Sequence, residues 1–157
     1  MLEQLLSPLV VVTSPVHDAL KDLAAGLITT GHAHHYLGFA AGQEKLFRSS
    51  GGLKPALYTL RVLLTGAHLM RTGRLETDLA VLGDDLGYVP DLIAAKRAAE
   101  HGRLPAGVSA LLDREVPRLR AELEVARDAS GLPAEASPAA VAALHDLLVH
   151  TRLETVA

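Results

Sequence analysis

Five polar side chains recur at helical spacing along one stretch of the chain: Lys54, Tyr58, Arg61, Thr65 and His68. Their steps of three and four residues set them on a single ribbon of a helix. The residue types favour holding an anion. Lysine offers a compact point charge and arginine a planar fork, complementary ways of gripping a polyphosphate, and a tyrosine one turn away can stack on a base or bond a sugar hydroxyl. The competing reading is a solvated helix face on which Tyr58 only packs. No acidic residue lies near Lys54 or Arg61 in sequence to neutralise either cation, and this favours the binding reading.

A second group is His32, His34 and His35. Imidazoles three apart on a helix can share a metal, but these have no carboxylate or cysteine at ligand spacing and no H-E-x-x-H pattern, so no metal site is assigned. Polar contact at the start of their helix, lining the same pocket as Arg61, fits them better, with plain surface residues as the other reading. Asp84 with Asp85, and Glu122 with Glu124, read as solvated charge.

Composition narrows the classes. The chain has 157 residues, 49% of them apolar, enough for one domain with a real core. Only three Tyr and two Phe are present and Trp is absent, so the core is aliphatic and favours helices. With no cysteine, disulfides and thiolate metal sites are excluded. Apolar runs fall short of the roughly 20 residues of a membrane span, and no basic leader with an apolar core precedes a cleavage site. The expectation is a soluble, cytoplasmic protein with no membrane partner. A net charge of −3 argues against general nucleic-acid binding, yet Lys45, Arg48, Lys54, Arg61, Arg71 and Arg74 occupy an interval containing no acidic residue. A local positive field in an acidic chain points to an anionic ligand.

The elements that must position these residues are helical. Pro55 suits the first turn of a helix over 53–71, whose Leu57, Leu60, Leu63, Leu64, Ala67 and Met70 cover the other faces; Gly73 follows as its stop. Before it, Ser14 and Pro15 open a helix to about Ala25. A further helix from Thr29 or Thr30 to Arg48 carries Tyr36, Phe39 and Ala40, with Gly38 and Gly42 allowing another backbone to approach. Ser49 to Gly52 form a turn of the kind whose amides meet anions, without the lysine of a P-loop. Leu9 to Thr13 read as a brief extended segment. Residues 75–86 carry a short helix, Asp91 starts another that stops at Gly102, and 105–130 form a long amphipathic helix that Pro117 should kink or divide. Ser137 and Pro138 open the last helix, to Leu153. The sum is an all-α, single-domain bundle of about six helices.

The block HHYLGFA followed by LKPALYTLRVLLTGAHLMRTGRLETDL, with the later LIAAKRAAEHG and the C-terminal LPAEASPAAVAALHDLLVHTRL, resembles the C-terminal helical half of predicted nucleotidyltransferases of the DNA polymerase beta superfamily, some associated with RNA repair. The resemblance covers about residues 30–153. It implies a helical domain that closes over a nucleoside triphosphate: Lys54 and Arg61 on the triphosphate, Tyr58 on the base or ribose, His35 and Tyr36 on a second helix of the same wall, and His68 further along. It also implies magnesium with the triphosphate. The superfamily's Gly-Ser turn and paired metal-binding aspartates are not found here, so the chain is expected to bind a nucleoside triphosphate or RNA end, with no catalytic residue of its own, and to need a separate catalytic half. Two other readings stand beside this one. The first is a ligand-free structural or regulatory module that homodimerises. The second rests on Arg61 and His68, whose spacing is similar to the motif of the helical nuclease domains called HEPN.

Overall fold

A computed structural model describes residues 2–98 and 106–156, the side chains of 154–156 excepted. The described residues fold as helices and connecting turns, with no strand. Eight α-helices are present among them: α1 (Leu2–Leu5), α2 (Pro15–Ala24), α3 (His32–Ser50), α4 (Leu53–Thr72), α5 (Leu79–Leu82), α6 (Val89–Ala98), α7 (Val108–Asp128) and α8 (Pro138–Val156). The all-α expectation holds, but the number exceeds six. The count rises through single turns of four residues: α1, too short for apolar periodicity to announce, and α5, to which the short helix expected over 75–86 contracts. None of these helices is long and apolar enough to cross a membrane.

The chain divides into two compact units, residues 1–30 with 132–157 and residues 31–131. In the first, Ser14 caps α2 by accepting a hydrogen bond at Oγ from the His17 amide at 3.2 Å, and Pro15 occupies the first helical position, as its fixed φ favours. A 3₁₀ turn, Ala25–Leu27, continues α2. The turn is pinned to the start of α8 by the Ser137 amide donating to the Gly26 carbonyl. Leu9 to Val12 do not form the expected strand. They stand exposed in an irregular connection, because β-branched residues favour extended backbone but a strand needs a neighbour to bond.

The second unit is built on α4. Leu53, Leu60, Leu63 and Leu69 are fully buried, and Ala56, Val62, Ala67 and Met70 nearly so. Helix α3 packs against it as the other arm of a hairpin, turned by Gly51 at φ 62° and Gly52. The left-handed φ of Gly51 explains glycine there. Helix α7 closes the core with Leu112, Val116, Leu119, Leu123 and Ala126 on one buried stripe. Pro117 does not divide α7, which runs unbroken from Val108 to Asp128. This proline lies on the exposed side, where water can serve the carbonyl that loses its amide partner. The expected start of this helix at Pro105 and the stop of the preceding one at Gly102 lie outside the described residues.

Candidate anion-binding face

Helix α4 is buried on every side but one. Along it the exposed or half-exposed positions include Lys54, Tyr58, Arg61 and His68, the ribbon read from spacing. Thr65 is the exception on that ribbon: it is 0% exposed, and its hydroxyl has no hydrogen-bond partner among the described residues. Tyr58 is 38% exposed. Its ring lies between two cations, with the Lys54 Nζ 5.9 Å and the Arg61 Cζ 5.0 Å from its centroid. Both distances fall within the range of cation–π attraction, so the ring holds the two positive groups near each other.

Helix α3 runs antiparallel to α4. A methyl placed on Gly66 would come within 2.8 Å of Tyr36 Cβ, while Glu44 and Phe47 share a cleft with Ala56 and Thr59. This register decides which predicted residues meet. Tyr36 is 2% exposed and turned into the core against Gly66 and Leu123. His35, its exposed neighbour, stands edge-on to it at 5.5 Å and over Phe39 at 6.4 Å between ring centres. His35 is therefore level with the His68 end of α4, whereas Lys54 lies fourteen residues from His68, about 21 Å at 1.5 Å per residue. The structure groups Lys54, Tyr58 and Arg61 at one place and sets His35 and His68 at the far end of the same face. Arg61 and His68 are two turns apart along the ribbon, about 10 Å by the same rise.

The acid-free interval is partly filled in space. Arg48 is bonded to Glu44 at 2.8 Å and to Asp113 at 3.0 Å, and Arg71 to Glu122 at 2.6 Å. Glu44 also receives Arg120 at 2.9 Å. Burial works to raise the Glu44 carboxyl, but the hydrogen bonds from Arg48 and Arg120 outweigh it and hold its pKa below the ordinary value. On the α7 surface, where the sequence predicts solvated charge at Glu122 and Glu124, Arg118 bridges Glu115 and Glu122. The links of Asp113 to Arg48 and of Glu122 to Arg71 join helices far apart in sequence, which no local pattern announces. The Ser49–Gly52 turn is not an open cradle for an anion either. The Ser49 and Ser50 hydroxyls donate to the Leu46 carbonyl, the Gly51 amide to Phe47, and the Gly52 amide to Ser50 Oγ. The turn's hydrogen bonds cap α3.

Among the described residues no three His, Asp or Glu side chains come together to hold a metal ion. They supply no donor set for the magnesium that the resemblance implies.

The described residues of the second unit thus form an all-helical core with Lys54 and Arg61 set against the Tyr58 ring. The chain belongs to the RNA repair pathway DNA polymerase beta family, whose model matches residues 1–150. That match begins at residue 1, earlier than the resemblance from about residue 30, so α1, α2 and the Leu9–Val12 connection belong to the family pattern too. No curated protein and no solved structure matched the chain.

Proposed function

We propose that the α4 ribbon positions a nucleoside triphosphate or an RNA end for nucleotidyl transfer, with the bond-making groups supplied by a separate catalytic half. The observation that carries this reading is the Lys54–Tyr58–Arg61 stack. Two cations are held on one partly exposed ring, on the only open side of a helix otherwise committed to the core. Lys54 and Arg61 neutralise phosphate oxygens, the fork of Arg61 binding two at once, and Tyr58 offers its ring or hydroxyl to base or ribose. Membership of a nucleotidyltransferase-like family supports the ligand class.

Calorimetric titration with ATP and with GTP, in the presence and absence of Mg²⁺, tests it. Binding that weakens in Lys54→Ala and in Arg61→Ala is the expected result. A wild-type protein that binds neither nucleotide, or one whose affinity both substitutions leave unchanged, overturns the reading.

A further inference from the structure

The outer flank of α3 carries two glycines that no neighbour among the described residues accounts for. Gly38 and Gly42 sit in the interior of a 19-residue helix with nothing within 4 Å of the position a Cβ would take. Glycine there weakens the helix, and no packing neighbour requires it. Phe39, between them, is 40% exposed, and His35 lies nearly parallel over it, the planes 28° apart.

This flank adjoins the α4 ribbon. On α3, Tyr36 faces α4, while Glu44 and Arg48 reach Arg120 and Asp113 of α7. At about 3.6 residues per turn, His35, Phe39 and Gly42 then lie on the side of α3 away from α7. On α4, Gly66 faces α3 and Arg71 reaches Glu122 of α7, which turns the ribbon away from α7 as well. Counting from Tyr36 opposite Gly66 brings Phe39 level with the turn between Arg61 and Thr65, where the buried Thr65 hydroxyl lacks a partner. The combined face joins aromatic rings, a floor without side chains and a row of cations. On α3 itself, the Glu44 carboxylate is drawn to the opposite flank by Arg48 and Arg120.

We propose that the α3 flank is a stacking subsite for an unpaired nucleotide of a polynucleotide strand, with Phe39 and His35 receiving the base and Gly38 and Gly42 letting the sugar lie against the helix backbone. The strand's phosphates run beside Arg61 and Lys54, so the proposal rests on the phosphate-holding reading of the ribbon. Stacking is sequence-tolerant because every base has a π face, and the cations add affinity that falls with salt. An acidic helix would also suit the charge. The stacked ring pair favours a base, because a helix needs ridges and grooves to seat on.

Fluorescence anisotropy with a labelled single-stranded oligoadenylate RNA, run alongside ATP calorimetry on the same full-length variants, tests this. Phe39→Ala and Gly42→Leu are each expected to weaken RNA binding roughly tenfold, the scale of one base–aromatic stack, with ATP affinity unchanged. Gly42→Leu should meanwhile raise the thermal midpoint, since leucine favours helix and meets no neighbour. Unchanged RNA affinity in both variants overturns the subsite. A synthetic acidic amphipathic helix that displaces the RNA from the wild type, and that Gly42→Leu no longer binds, overturns it in favour of a protein dock. ATP binding lost from the wild type while RNA binding responds to both variants overturns the triphosphate reading and supports the subsite.

Discussion

The guanidinium carbon of Arg61 stands 5.0 Å from the centre of the Tyr58 ring, and the Lys54 Nζ stands 5.9 Å from the same centre. The tyrosine therefore preorganises two positive groups that would otherwise repel each other. Tyr58→Phe keeps the π face and should bind ATP almost as the wild type does. Tyr58→Leu removes it and should weaken binding about threefold to tenfold, on the scale of about 1 kcal/mol for an exposed cation–π contact. Equal losses in both variants would mean that the hydroxyl, and not the ring, is what matters.

Glycines on the two sides of the hairpin should respond in opposite ways. At Gly66 a new methyl meets Tyr36 Cβ at 2.8 Å and Leu123 Cδ2 at 3.0 Å, both in the packed core. Overpacking of that kind costs about 1–3 kcal/mol, more than the roughly 1 kcal/mol of helix propensity that alanine returns. Gly66→Ala should lower the urea midpoint and Gly42→Ala, which meets nothing, should raise it. Two shifts of the same sign would contradict the packing described.

Glu44 contributes to the acid sensitivity of the second unit. Its folded pKa is depressed below 4.5, so it binds fewer protons folded than unfolded. The stability it contributes is complete above about pH 4.5 and is lost as pH falls through the folded value. Urea unfolding of the wild type and of Glu44→Gln between pH 7 and pH 3 should show the variant less stable by about 1 kcal/mol at neutral pH, with the two curves converging at the acid end. Parallel curves would mean that the carboxylate adds nothing through its charge.

At the alkaline end, Tyr88 donates to Glu115 Oε2 at 3.3 Å. Burial, reinforced by the negative charge of Glu115, pushes the phenol up to about 12. A raised folded pKa means stability fully present below the unfolded value near 10 and lost as pH rises toward the folded one. A tyrosinate absorbance difference between wild type and Tyr88→Phe should place this group's titration close to pH 12. A midpoint near 10 would show that the phenol is not held this way.

Local signals carried the sequence reading well where the physics is local. The Ser14–Pro15 cap, the Gly73 stop at φ 67° and the ribbon on α4 each depend on residues within a turn or two of one another. Leu9 to Val12 show the limit, since strand propensity is realised only with a partner that lies elsewhere. The same limit hid the pairs of Arg48 with Asp113 and of Arg71 with Glu122, 65 and 51 residues apart. It also left Gly38 and Gly42 as a cost to α3 with a close approach expected, because whether a backbone comes near them depends on the tertiary arrangement. Pro117 went the other way: the rule against proline inside helices presumes a dry carbonyl, and this one lies on a wet surface.

The burial of α4 on all sides but its ribbon has a consequence for how such a protein can change over time. A substitution at the fully buried Leu60 or Leu63 disturbs the packed core, whereas Lys54, Tyr58 and Arg61 lie on the exposed or half-exposed side of the helix. Side chains along the ribbon can thus be exchanged one position at a time while folding stability stays nearly constant. The helix that is least tolerant of mutation also carries the three residues most open to it.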